Sequence, residues 1–145
     1  MLYHFPILLL LTLFSTDMSG QDIAKHRWEN RLLLVVSKDH SNERLKDQLA
    51  VLNSCEQGLT ERKLLIYQIL PDKYKVSTTY ENGGSWHGGS RLYEQFSDTD
   101  SSFEAILIGL DGGVKLRKKG LLECKELLAI IDTMPMRQAE IRSKK

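Results

Sequence analysis

The sequence is poor in cysteine and proline, with two of the first and three of the second. No Cys-x-x-Cys pair occurs, which excludes the common dithiol redox motif. Charge of one sign is not in excess either: 20 Lys and Arg stand against 19 Asp and Glu, a net charge of +1. That balance excludes a nucleic-acid partner, because backbone phosphates demand a concentrated positive face. After the opening residues no apolar run is long enough to span a bilayer. Metal-ligand spacing is missing too. His26, His40 and His87 are scattered, and in "DTDSSFE" Phe103 stands where a calcium loop needs glycine. No metal or cofactor is expected.

What is there begins with "FPILLLLTLF", an apolar core too short to cross a membrane, followed by the small and polar residues "STDMSG". This order predicts an export signal over residues 1–20, cleaved after Gly20, with a mature domain over 21–145 and no transmembrane segment after cleavage. An uncleaved anchor or a buried strand is the competing reading; Pro6 and the short core suit a signal better. The expected location is therefore secreted or periplasmic.

The mature part reads as alternating strands and helices. "RLLLVVS" is apolar without alternation, so a strand covered on both faces is expected, each of Leu32–Val36 contributing roughly 1.5–3 kcal/mol on burial. Leu45, Leu49 and Leu52 make a one-faced helical stripe, capped by Asp39 or Ser41 and ended by a left-handed Gly58. "RKLLIYQILP" is a second buried strand. "KYKVSTTYENGGSWHGGS" is a glycine-rich loop with a short extra strand near Tyr74–Thr79, and "RLYEQFS" a short helix. "FEAILIGLDGGVKLRKK" is a hairpin. Its Asp111-Gly112 predicts a type I′ turn, and its second strand is an edge, with Val114 and Leu116 inward and Lys115 and Arg117 outward. "LLECKELLAIIDTM" is a helix ended at Pro135. A parallel strand–helix–strand unit followed by an antiparallel hairpin is the layout of a four-stranded thioredoxin-like α/β sheet with helices on both faces.

Four segments carry a resemblance: "RLLLVVS", "GLTERKLLIYQI", "LIGLDGGVKLR" and "IDTMPMRQAEIR". Together, over residues 27–142, they resemble the domain of unknown function of small secreted bacterial proteins. That domain also occurs in sushi-repeat-containing extracellular proteins and in matrix proteins down-regulated by oncogenes. The resemblance is most specific at Asp111–Arg117 and Met134–Gln138. It implies a thioredoxin-like, peroxiredoxin-related fold, no established catalytic residues, and an exported or matrix-associated module.

Against that fold the chemistry is sparse. The corner after the first strand holds Lys38, Asp39, His40 and Ser41 where a redox enzyme needs a cysteine. Ser101-Ser102-Phe103 occupies the place of the usual cis-proline. Cys55 closes the first helix and Cys124 opens the last. If these helices share a face and run the same way, a helix of a dozen residues, about 18 Å long, keeps the thiols apart. A disulfide needs Cα atoms within roughly 7 Å. Two separate thiols are expected, Cys124 buried and Cys55 partly exposed.

"NGGSWHGGS" lacks the lysine of a phosphate loop and the last glycine of an esterase elbow. It is read as a flexible loop anchored by Trp86, or as a ligand-contact lip made by Trp86 and His87. Lys115, Arg117, Lys118 and Lys119 protect an edge strand, or meet an acidic surface. Arg137 belongs to a motif of the resemblance and has no assigned role. The reading favoured is a non-catalytic binding or adaptor module for a protein or acidic polysaccharide of the envelope or matrix. The alternative is an atypical thiol oxidoreductase or peroxidase using Cys55.

Overall fold

The computed structural model describes residues 23–77, 84–89 and 91–145. The predicted leader and residues 78–83 and 90 of the glycine-rich loop lie outside them. The chain runs β1 (Arg31–Ser37), α1 (Glu43–Ser54), α2 (Glu56–Glu61), β2 (Leu64–Ile69), β3 (Lys73–Ser77), β4 (His87–Gly88), α3 (Leu92–Phe96), β5 (Phe103–Ile108), β6 (Val114–Lys118), α4 (Cys124–Asp132) and α5 (Pro135–Ser143).

The expected parallel pair is present: β1 lies beside β2, Arg31 opposite Leu64 through Val36 opposite Ile69. On its other side β1 pairs antiparallel with β5. The sheet has six strands, not four, in the order β4-β3-β2-β1-β5-β6. The apolar run is central because both its faces are covered. Leu33 and Val35 join Leu45, Leu49, Leu52, Leu127 and Ile131 under the α1 and α4 face. Leu32, Leu34 and Val36 join Tyr67, Ile69, Ile106 and Leu92 on the other.

Local details depart from expectation for physical reasons. The cap of α1 is Asn42, whose side chain accepts the Arg44 N–H; Asp39 instead accepts the Ser41 N–H one turn earlier. Gly58 ends no helix. It lies inside α2, where a Cβ would stand 3.0 Å from Leu128 Cδ1. Its lack of a side chain lets α2 approach α4.

The hairpin is not type I′. Gly112 is left-handed (φ +81°) and Asp111 is not. The Gly109 carbonyl accepts the Gly112 N–H at 3.0 Å, and Asp111 Oδ1 accepts the Gly113 N–H. This is a three-residue hairpin loop, a turn over Leu110 and Asp111 followed by one left-handed glycine. A bulge follows it: Leu107 pairs with Leu116 but Ile108 pairs with Val114. Skipping Lys115 reverses the pleat. Val114 therefore faces away from Leu116 and is exposed, instead of sharing its inward face.

Candidate functional site at the carboxyl end of the central strands

In open α/β sheets the carboxyl ends of the parallel strands are the usual place for a ligand. Here the chain leaves β1 through Lys38–Asn42. The Lys38 N–H donates to the Ser102 carbonyl at 3.0 Å and Asn42 Nδ2 to the same oxygen at 3.3 Å, so the Ser101–Phe103 corner is tied to this loop. No sulfur is near it. The Ser41 N–H holds the Asp39 carboxyl below its ordinary range and keeps that side chain occupied.

What stands at this end is aromatic and cationic. The Trp86 ring lies 6.1 Å from the His40 ring, and the Nζ atoms of Lys73 and Lys75 lie 4.9 and 5.0 Å from its centroid. The two lysines share a face of β3 by the two-residue repeat of a strand. Neither is paired with a carboxylate among the described residues. Trp86 is 36% exposed. The predicted partner of Trp86, His87, turns to the other side, its ring 5.3 Å from Tyr74, which in turn stacks on Tyr67. His26 meets the Tyr67 hydroxyl at 2.7 Å. The three histidines are thus apart. Lys73 and Lys75 were not singled out in the sequence, where the alternating cations of "KYK" were their only signal; His40 appeared only as a scattered histidine and as part of the corner after β1.

The four cations of β6 and its exit lie on the opposite edge of the sheet. Each meets an acid: Lys115 with Asp111 (2.8 Å), Arg117 with Glu104 (3.7 Å), Lys118 with Glu126 (2.6 Å) and Lys119 with Asp98 (2.8 Å). The hydrogen bond from Lys119 lowers Asp98, and the same contact raises Lys119; Lys115 lowers Asp111 likewise. The carboxylate-bearing turns thus fold back on the cations.

Arg137 is part of a buried network. Arg62 makes a two-pronged bond to Asp132 (2.9 and 2.7 Å), Arg137 Nε meets the same carboxylate at 3.1 Å, and Arg137 Nη1 meets Glu140 at 3.2 Å. Hydrogen bonds from Arg62 and then Arg137 hold Asp132 below the ordinary carboxylate range against its desolvation. Burial pulls the Arg137 guanidinium down, but Asp132 and Glu140 together outweigh it and raise it.

The expectation of two separate thiols is overturned. Cys55 and Cys124 form a disulfide, their Cα atoms 6.3 Å apart, and both are half-buried. The error lay in the connector before α4. Its chain does not turn straight into a helix but runs along α1. Lys119 accepts from the Arg44 guanidinium, Leu122 exchanges both backbone groups with Gln48 (2.9 and 2.8 Å), and Cys124 reaches Cys55. From Lys119 to Cys124 an extended chain covers roughly 16 Å. From Arg44 to Cys55 a helix covers about the same. Helix α4 therefore starts where α1 ends.

The family described as "Domain of unknown function (DUF4174)" matches residues 22–140. No curated protein matches the chain. Among solved structures, the reduced 2-Cys peroxiredoxin of Plasmodium vivax is similar with a TM-score of 0.53 and 14% identity, over 84% of each chain. The fold is therefore thioredoxin-like, as expected; identity at this level speaks to the fold alone.

Proposed function

The chain belongs to the DUF4174 family, and from that premise we propose that it is a non-catalytic binding module of an exported, oxidising compartment that takes an acidic polysaccharide at the Trp86 corner. The observation that carries this reading is the pair of lysines without carboxylate partners among the described residues, flanking a half-exposed indole at the carboxyl ends of β1 and β2. A sugar ring lies on an indole face, and adjacent ammonium groups meet its carboxylates or sulfates. Location outside the reducing cytosol is supported by the inter-helix disulfide, which persists where thiols are kept oxidised, and by the leader read over residues 1–20. The corner, rather than β6, is favoured because the β6 cations already have acids.

Titration with polygalacturonate, followed by isothermal calorimetry, tests the reading. Trp86→Ala and the double change Lys73→Gln, Lys75→Gln should weaken binding at least tenfold at low salt with an unchanged melting temperature. Changing Lys115, Arg117, Lys118 and Lys119 together to Gln should leave binding within about twofold. Equal binding by wild type and Trp86→Ala would sink the proposal.

A second reading, thiol–disulfide chemistry at Cys55, has one observation in its favour: Cys124 is the first residue of α4. An external thiolate attacking Cys55 Sγ would form a mixed disulfide and release Cys124 as a thiolate beside free helix N–H groups. Peroxidase chemistry would need the pair reduced first. A reduction potential below about −300 mV would mark the bridge as structural and end this reading.

A further inference from the structure

At the other end of β1 the structure holds a cleft of about 370 Å³, whose lining includes Trp28, Arg31, Leu110, Lys115, Met134 and Met136. The two segments most specific to the sequence resemblance, Asp111–Arg117 and Met134–Gln138, meet here, and neither is used at the Trp86 corner.

Arg31 is the unusual member. Its side chain is 1% exposed. Its Nη1 donates to the Arg62 carbonyl at 2.8 Å and to Glu140 at 3.3 Å. Its Nε and Nη2 are buried and have no hydrogen-bond partner among the described residues. Those two N–H groups form one edge of the guanidinium, the fork that holds a carboxylate by two parallel bonds. Charge points the same way. Three guanidiniums, of Arg31, Arg62 and Arg137, share the carboxylates of Asp132 and Glu140; Glu61 is exposed and comes no closer than 4.0 Å to Arg62. Lys115 adds no free charge, because Asp111, also in the cleft lining, neutralises it. Arg31 shares Glu140 with Arg137, so its buried charge is only partly compensated and a further anion on it would be favourable. The cleft that Arg31 lines is also lined by an indole, two thioethers and Leu110, which would cover an apolar body and adapt to its shape.

We propose that this cleft binds a small monocarboxylate carrying an apolar body, with its carboxylate on the Nε–Nη2 edge of Arg31 and its body between Trp28 and the Met134–Met136 segment. The Arg31 fork is already oriented by Glu140 and the Arg62 carbonyl.

The test uses 3-phenylpropionate as probe, with acetate and 3-phenylpropionamide beside it. The readouts are the ¹⁵N–¹H signal of Arg31 Nε and Trp28 fluorescence in the Trp86→Phe background. The acid should shift the Arg31 Nε signal. The amide, which keeps the body and loses the charge, should bind about ten- to a hundredfold more weakly. Acetate should fail for want of a body. Arg31→Met should abolish binding. Should that variant not fold, Met136→Glu decides: Met136 is 43% exposed at the start of α5, where an acid is tolerated. It should leave the melting temperature unchanged and weaken the acid at least tenfold by repulsion. No movement of the Arg31 Nε signal at about 10 mM acid, where a ligand of this size should be bound, would overturn the proposal. So would equal binding of acid and amide, meaning that only apolar contact is at work, or undiminished binding by Met136→Glu.

Discussion

Asp132 shows how one carboxylate can tie a fold's pH response to its termini. It joins Arg62, which follows α2, to Arg137 in α5. Because Arg62 and Arg137 depress its pKa in the folded protein, its contribution is present in full above the unfolded value of about 3.9. The contribution is lost as the pH falls through the lower folded value. Urea unfolding of wild type and Asp132→Asn should therefore differ most near pH 6. The two curves should converge on acidification below about pH 4. A gap independent of pH would mean that Asp132 acts by shape, not charge. Gly58 makes a steric counterpart. A Cβ there already presses on Leu128, so Gly58→Val should cost about 1–3 kcal/mol by overpacking the α2–α4 contact. Neither role was legible in the sequence. Asp132 is one unremarked residue of the helix read over "LLECKELLAIIDTM" and Gly58 reads as a helix stop, because both roles depend on a neighbour distant along the chain.

Among the elements, α1 and the connector to α4 decide how the helical layer is joined. Gln48 is fully buried and satisfies both backbone groups of Leu122. Gln48→Leu would leave that N–H and carbonyl unpaired in the core, and should cost about 2–3 kcal/mol. The disulfide two turns further along α1 closes a loop across a sequence separation of 69. Chain-entropy reasoning gives about 4 kcal/mol for a loop of that size. Reducing the protein, or replacing both cysteines with serine, should lower the urea midpoint accordingly while far-UV dichroism is retained. An unchanged midpoint would show that Gln48 and the apolar contacts alone hold the layer. The existence and type of these elements were readable from periodicity: the Leu45–Leu49–Leu52 stripe, the unbroken β1 run and the short strand at Lys73–Ser77 all appear as expected. Their junctions were not. A connector of five or six residues can coil into a helix at once or run extended first, and local propensity does not choose between the two. The hydrogen bonds that choose are made with α1.

At the scale of the whole molecule, β1 joins two ends with different chemistry. Ser37 leads toward Trp86, Lys73 and Lys75; Arg31 opens onto Trp28 and the α4–α5 turn. Seven extended residues separate these ends by roughly 20 Å. The Trp86 corner and the Arg31 cleft share no side chain, so their binding energies should add. Trp86→Ala should leave phenylpropionate affinity unchanged, and Met136→Glu should leave polygalacturonate affinity unchanged. The coupling in the double variant should stay below about 0.5 kcal/mol. A larger coupling would mean that β1 transmits strain between them.

Hydrophobic pattern alone determined that this chain forms a covered sheet with helices on both faces. An unbroken apolar strand is stable only inside such layers, and that constraint is local to each segment. It determined as well that the corner after β1 is without a cysteine, since that is a matter of residue identity. Only the tertiary structure decided that Cys55 meets Cys124, that Lys73 and Lys75 flank Trp86, and that Arg31, lining a cleft with two methionines, keeps two buried N–H groups without a partner among the described residues. Each of these depends on where a connector or a bulge delivers a side chain. That position follows from contacts between segments far apart in the chain, which no single stretch of sequence contains.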